Sequence, residues 1–468
     1  MSRVFFLGCF ERRVTFYAQQ VRAINLASAL LDEDVIRVNG RVAIVGGGLA
    51  GVTLSAYLAQ FAPQLKIVLY ERNSALLYLQ RGARDRYVHP HIFDWPAPSA
   101  SQKNAGLPMM DWTAGTAQGI VQAIDSQFEA VRRQGNIEVR LSTAVNGLTS
   151  FGDHAVGVSA GYTTEWERFD TAVLSIGFGL ERGLHHQLNP SYWQPSVLSA
   201  PLLFTGPLPK IFISGNGDGA LADFALAAFN HKPHGEIFEL VLREPGLDVA
   251  AAQLLRIDER AWSDPGVDIF AAYETELTSL LPKHLLNNVA DHLRPDAFVV
   301  LHTTETALFR PETAIINRFI AFLIILADRA FKRGRVEVHV GRAFLSPPQS
   351  SPQISIEGVA PFAPEVRLLR FGPDRDEVMK DFCAMANAFC AIHPVTKVRS
   401  REPSMTISAQ QRLASIAPPA TAPAPASATI ALSGTSATPT GATINNIQGG
   451  VAAGATVVQV YGGSPDRR

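Results

Sequence analysis

The segment that most constrains this chain is Val42-Ala43-Ile44-Val45-Gly46-Gly47-Gly48-Leu49-Ala50-Gly51. An unbroken run of β-branched and small apolar residues reads as a parallel strand buried on both faces. It enters Gly46-x-Gly48-x-x-Gly51, and a small-residue helix follows over 50–59. Each glycine has a physical job. Gly46 makes the tight turn, Gly48 lets a pyrophosphate approach the backbone, and Gly51 lets the helix sit close to the strand. The helix N-terminus adds free N–H groups and a positive dipole end. A second strand, Lys66-Ile67-Val68-Leu69-Tyr70, ends in Glu71, twenty residues past Gly51. A carboxylate at that distance accepts ribose hydroxyls. The plain alternative is a glycine turn with no ligand. The strand, the helix and the acid together weigh against it.

This stretch resembles the dinucleotide-binding entry of FAD-dependent oxidoreductases. Glu71-Arg72 is the pairing typical of FAD rather than NAD sites in that superfamily. The resemblance implies that Gly46, Gly48, Leu49, Ala50, Gly51, Glu71 and Arg72 hold the ADP half of FAD. It extends to Asp170-Thr171-Ala172-Val173-Leu174-Ser175-Ile176-Gly177, which resembles the strand ending in Ala-Thr-Gly in these flavoproteins. Ser-Ile-Gly stands here in its place. The resemblance implies that Gly177 approaches the cofactor, where a glycine allows close contact.

A second turn follows the strand Lys210–Ser214, as Gly215-Asn216-Gly217-Asp218-Gly219-Ala220. Two readings stand. In one, it is an NAD(P)H site, in the order seen in thioredoxin-reductase-like and flavin-monooxygenase-like enzymes. The run Ile237–Leu242 is then the next strand, and Arg243 or Glu244 reads the ribose end. In the other, Gly217-Asp218 closes the flavin site, with Asp218 accepting from the ribityl chain. A purely structural turn is the third, plainer reading.

The segment Arg81–Pro96 holds Arg81, Arg84, Arg86, His89, His91 and Trp95. The arginines suit a pyrophosphate or an anionic substrate. His89 and His91 are the candidate proton donors, since histidine titrates near neutrality. Trp95 could stack on a ring. The bland reading is a proline-stiffened surface loop. No metal site is expected, because His89-x-His91, His185-His186 and His231/His234 lack the further ligands that zinc requires. Cys9, Cys383 and Cys390 provide no Cys-x-x-Cys redox pair, and the last two read as core fill on one helix face.

With Lys+Arg 41 against Asp+Glu 42, the chain lacks the basic surplus that nucleic-acid backbones require. The run Val4–Phe10 is followed, not preceded, by charge, which does not fit a secretory leader. The run Phe319–Ala327 is too short to span a bilayer and reads as a buried helix. No membrane association is expected, and a reducing cytoplasm is the expected compartment.

The expected fold is α/β, with a Rossmann-type parallel-sheet domain, a mainly helical insertion and a disordered C-terminal tail. The expected divisions are 1–35 (helical, with a helix near Val14–Leu31), 36–244 (FAD/NAD(P)-binding), 245–332 (helical) and 333–403 (second sheet and a final helix). A linker over 404–440 and a tail motif over 441–468 complete them. Residues 413–465 carry no Asp, Glu, Lys, Arg or His. The stretch 444–463 resembles short bacterial amyloid-type signalling motifs, whose β-branched and Gln residues suit stacked strands. That resemblance implies self-assembly or a like-tailed partner. The leading expectation is an FAD oxidoreductase, with NAD(P)H as reductant and an undefined small-molecule substrate. The rival is a nucleotide-binding signalling protein that assembles through its tail, in the manner of bacterial defence proteins.

Overall fold

The computed structural model describes residues 3–11, 14–152, 155–163, 165–182, 191–199, 208–230, 232–242, 244–345, 353–392 and 403–415. The expectations for His185, His186, His231, Arg243 and the tail beyond 415 lie outside these residues.

The N-terminal unit runs β1 (Val4–Phe6), α1 (Phe16–Asp32), β2 (Arg41–Val45), α2 (Leu49–Phe61), β3 (Lys66–Tyr70) and α3 (Tyr78–Arg81). It continues with the small pair β4 (Tyr87–Val88) and β5 (Gly115–Thr116), then α4 (Ala117–Arg132) and β6 (Ile137–Arg140). An antiparallel meander of β7 (Val145–Ser150), β8 (Val156–Ala160) and β9 (Glu167–Phe169) leads into β10 (Thr171–Leu174). Among the described residues the main sheet is parallel, in the order β1-β10-β2-β3-β6. Both faces are covered, and strand alternation divides the side chains between them. Val42 and Ile44 enter the core under the helices, while Ala43 and Val45 enter the core toward the meander.

The second unit begins at β11 (Lys210–Ser214) and α5 (Asp218–Ala228). Helices α6 (His234–Leu242), α7 (Asp248–Ser263), α8 (Ile269–Glu276) and α9 (Lys283–His292) precede β12 (Phe298–Thr303). Then come α10 (Ile315–Ala330), β13 (Val336–Val340), the hairpin β14 (Ala343–Leu345) and β15 (Ile354–Ile356), and β16 (Val366–Leu369). The second sheet is parallel, in the order β13-β12-β11-β16. Ile211 and Ile213 face the helical core, and Phe212 faces the hairpin side. Helices α11 (Arg375–Met379), α12 (Cys383–Ile392) and α13 (Ile407–Ala414) follow. Counted from its glycine strand, each sheet contains the Rossmann-type order 3-2-1-4, and in the first sheet β1 adds a fifth strand beside strand 4.

The sheets divide the chain differently from the sequence expectation. Residues 1–35 are no separate segment, because β1 extends the first sheet beside β10. α1 is buried nearly all round, and Gln20 and Asn25 on it are satisfied internally. Gln20 bonds Met110 O at 2.7 Å and Trp112 Nε1 at 2.6 Å, and Asn25 bonds Ser404 O at 2.9 Å. Residues 36–244 span both sheets. The expected strand Ile237–Leu242 is the helix α6, since its buried residues His234, Ile237, Phe238 and Val241 follow a 3.6-residue period. The expected helical region 245–332 contains the central strand β12. Residues 403–415 are not linker either: α13 packs on α1, with Arg412 paired to Asp32 at 2.5 Å. The run Phe319–Ala327 is inside buried α10, and no helix among the described residues is long and apolar enough to cross a membrane.

Candidate functional site

The glycines of the first turn separate into two kinds. Gly46 has φ +108, and a Cβ there would stand 2.5 Å from Ser175 O. A Cβ on Gly51 would stand 2.0 Å from Gly46 O and 2.7 Å from Ser175 Oγ. The fold itself requires these two. Gly48 is different. Its φ −74 and ψ −178 suit any residue, and a Cβ would meet nothing within 4 Å. Among the described residues neither backbone strain nor packing requires a glycine at 48, and the space above it belongs to a cavity. Gly177 also lines that cavity with nothing within 4 Å, although its φ of +76 favours glycine in any case.

Ser175 explains the Ser-Ile-Gly departure. Its hydroxyl donates to Gly46 O at 2.9 Å and Val45 O at 3.0 Å, fastening β10 to the turn. Gly48 is the N-cap of α2 and provides no side-chain cap, so the first amides of that helix meet the cavity without a side-chain acceptor. Glu71 is buried. Its Oε2 accepts from Gly47 N at 2.8 Å, and its Oε1 accepts from Asn73 N at 2.7 Å. Leu49, Ala50, Glu71 and exposed Arg72 all line the cavity.

The cavity measures about 330 Å³ and lies across the C-terminal ends of β3, β2, β10 and β1. This is the edge at which open parallel sheets bind ligands. Its far wall carries Phe16, Trp193, Phe178 and Phe382, with the Phe16 and Trp193 ring centroids 5.5 Å apart.

The second turn has the same backbone plan but different cover. A Cβ on Gly215 (φ +137) would stand 2.3 Å from Arg370 O. Gly217 has Arg310 Nη2 at 3.4 Å, and Gly219 has the Tyr192 ring at 3.3 Å. Asp218 Oδ1 accepts from Ala314 N at 2.9 Å and Asn317 Nδ2 at 2.7 Å, which holds the start of α10. Gly215, Gly217 and Asp218 do not line the cavity. Asp218 thus caps the start of α10 and is not among the residues that line the first cavity.

Sequence reasoning missed Glu305. The strand beside β11 is β12, and Glu305 lies just past its end. Glu305 Oε2 accepts from Asn216 Nδ2 at 3.3 Å, as Glu71 accepts from Gly47 in the first unit. Arg310 donates to Glu305 Oε1 at 2.9 Å. The signal was Phe298-Val299-Val300-Leu301 followed by a nearby acid, obscured by helices inserted over 234–292.

The arginine and histidine loop does not enter the cavity either. Arg86 is buried against Asp223 at 2.5 Å, with Arg370 on the other carboxylate oxygen at 2.7 Å. Tyr192 lies under the Arg86 guanidinium at 4.1 Å. Arg81 pairs with Asp125 at 2.6 Å. His89 is 3% exposed, and burial with the neighbouring His91 pushes it down to about 4. Its Nδ1 accepts from His91 N at 3.2 Å. His91 faces Asp94 at 3.2 Å. Neither histidine lines the cavity, so proton donation by them there is not supported by the geometry. Trp95 stacks on Phe319 in the core. Cys383 is exposed and does not fill core as expected, whereas half-buried Cys390 packs against the core beside the meander, and burial pushes the Cys9 thiol up to about 12. No group of three or more His, Cys, Asp or Glu among the described residues is placed to hold a metal.

Fold and site together define a two-unit α/β protein of the Rossmann type, with one open glycine turn and one covered. No family model and no curated protein matches the chain. Among solved structures it is similar to putidaredoxin reductase in covalent complex with putidaredoxin, at 14% identity and a TM-score of 0.34. That match covers 73% of this chain and 61% of the other, less than two thirds of it. The ornithine N-hydroxylase of Kutzneria sp. 744, with reduced FAD and NADP+, matches at 10% identity over 72% of this chain and 81% of that one, with a TM-score of 0.38. OTEMO with FAD and NADP matches at 12% identity over 71% and 70%, with a TM-score of 0.37. Likeness at this level carries no functional argument, which rests on the site.

Proposed function

We propose that the chain is an FAD-dependent oxidoreductase that holds FAD at the first glycine turn. The observation that carries this reading is Gly48, which caps α2 in unstrained backbone and leaves the main chain open to a closely approaching ligand. The amides of Leu49, Ala50 and Gly51 bind the pyrophosphate, and the positive end of α2 supports its charge. Glu71, already oriented by Gly47 and Asn73, accepts the ribose hydroxyls with its remaining lone pairs. Arg72 stands at the exposed rim beside it. Bound flavin would supply the electron transfer, while the protein orients it and excludes water.

The reductant in this reading is a nicotinamide dinucleotide at the second turn. The 3-2-1-4 strand order and Glu305 support that assignment. An acid at the end of β12 favours the ribose diol of NADH over the 2′-phosphate of NADPH. Arg310 and Tyr192 must move from Gly217 and Gly219 for it to bind. The test is a visible absorbance spectrum of the purified protein under argon, with NADH and then NADPH. A yellow protein that bleaches with NADH supports both assignments. A yellow protein that neither nucleotide bleaches removes the second. A protein that stays colourless after FAD is added removes the first.

A further inference from the structure

The two turns share a wall. Tyr192 and Trp193 line the cavity over the first turn. The Tyr192 ring also lies 3.3 Å from where a Cβ on Gly219 would stand, and so covers the second turn. Gly219 holds the place in α5 that Ala50 holds in α2, among the amides that begin the helix. Those amides are the donors that a phosphate takes. A phosphate on the second turn therefore displaces the Tyr192 ring.

Tyr192 does not move alone. Its ring centroid stands 5.1 Å from that of Trp193, and Trp193 stands 5.5 Å from Phe16 across the cavity wall. Arg86 holds the pair in its closed position. Its Nε donates to Tyr192 O at 2.7 Å, and its guanidinium lies over the Tyr192 ring at 4.1 Å. Arg86 is fixed from behind by Asp223. The described residues 191–199 carry only the short 3-10 turn Val197–Ser199, so displacing Tyr192 breaks neither a strand nor an α-helix.

The cavity is small in this closed position. About 330 Å³ lies at the lower end of the range for drug-sized ligands, and FAD is larger than these. A ring system there gains room when Trp193 moves outward. Both ligands thus favour the same displaced position. A ligand that selects a part-populated state raises that population for the next one.

We propose that Tyr192 and Trp193 form one gate shared by the two turns, so that a dinucleotide seated on either turn opens the other. This rests on the assignment of FAD to the first turn and of a nicotinamide dinucleotide to the second.

The test is titration calorimetry with NAD+, which brings no hydride to the flavin, on the flavin-free and the FAD-saturated full chain. NAD+ should bind the FAD-saturated chain at least about fivefold tighter, the lower end of ordinary coupling between sites. FAD should gain the same factor from saturating NAD+, because such coupling is reciprocal. In Tyr192→Ala the gate stands open, so each ligand alone should bind tighter than to the wild type, and FAD should no longer change NAD+ affinity. Equal NAD+ affinity with and without FAD in the wild type overturns the proposal, and so does coupling that survives Tyr192→Ala. Weaker NAD+ binding in the presence of FAD marks competition for the first turn and also overturns it. If FAD binds but neither protein takes NAD+, the nicotinamide assignment falls and the proposal with it. If neither protein takes FAD, the first-turn assignment falls. Should Tyr192→Ala fail to fold, tryptophan emission of the flavin-free chain decides. The difference in emission between the wild type and Trp193→Phe must change when NAD+ is added, and an unchanged difference overturns the proposal.

Discussion

A Cβ added to Gly48 would meet nothing within 4 Å, whereas one on Gly219 would meet the Tyr192 ring at 3.3 Å and one on Gly217 would meet Arg310 at 3.4 Å. The two turns otherwise share the strand, the first two glycines and the helix, while the third position is Gly51 in one and Ala220 in the other. Each even holds an acid from the neighbouring strand against the residue between its first two glycines. The motif therefore sets a backbone shape, and distant residues decide whether that shape is left open. At the first turn no described residue covers Gly48. At the second it comes from Tyr192 and Arg310, while Arg370 packs beside the turn and is locked into place by Asp223.

The strongest way to sharpen this comparison is to remove that lock. Asp223 is fully buried between Arg86 and Arg370. Asp223→Ala leaves two buried guanidinium groups without their carboxylate. The expected loss is about 3–5 kcal/mol of stability, seen in the urea unfolding midpoint. Because Arg86 also bonds Tyr192 O in the wall of the first cavity, flavin content per folded molecule is read beside stability. A loss near zero would mean that the second turn is not held shut by this pair.

Matched substitutions test the turns directly. Gly48→Trp places a ring in the pyrophosphate path and should weaken FAD by at least about a hundredfold, roughly 2.7 kcal/mol, with the melting temperature little changed. Gly217→Trp should leave FAD binding intact. The reverse pattern, with flavin lost only from Gly217→Trp, would exchange the roles of the two units.

Acid should loosen the loop that joins them. Burial holds His89 down at about 4 and His234 at about 3, both below the ordinary 6.5. His234 Nδ1 accepts from Tyr87 N at 3.3 Å, tying α6 to that loop. Below 6.5 the unfolded chain takes up protons that the folded chain refuses. Stability is thus complete above 6.5 and declines as pH falls toward 4, by on the order of 1–3 kcal/mol. Melting temperatures measured across that window should fall less steeply for His89→Gln with His234→Gln. An identical acid slope in the double variant would exclude these histidines as the cause.

The first site was legible because its parts are close in sequence. Gly46 to Glu71 is one strand–helix–strand unit, and period-two and glycine signals cover all of it. The second was misread because α6 to α9 separate β11 from its neighbour β12. The apolar cluster at 237–242 then took the place of the true strand. Arg243 or Glu244 was read as the contact to the ribose end, while Glu305 sat unseen about 85 residues past the turn. The place of the first strand was also hidden. A three-residue strand gives almost no periodic signal, and Val4–Phe6 finds its place only by pairing with β10. The Arg81–Pro96 loop misled in the opposite sense. Its arginines and histidines look like surface chemistry, yet Arg86 and His89 are buried, because Asp223 and the second core lie against them.

The finest test concerns the two acids. Glu71 Oε2 accepts from Gly47 N, and its Oε1 is held by Asn73, so the carboxylate is fixed before any ligand arrives. Glu71→Gln keeps the shape but loses one acceptor and the charge. At one net hydrogen bond the expected cost to ADP or FAD binding is about 1 kcal/mol, roughly fivefold. Glu305 is 46% exposed on its side chain and engaged by Arg310, so Glu305→Gln should leave FAD untouched. In the NADH reading it should instead slow bleaching by NADH and narrow the preference over NADPH, measured by anaerobic stopped-flow reduction. If Glu305→Gln leaves both nucleotides unaffected while Glu71→Gln weakens FAD, the covered turn is a structural copy of the open one and the reductant binds elsewhere.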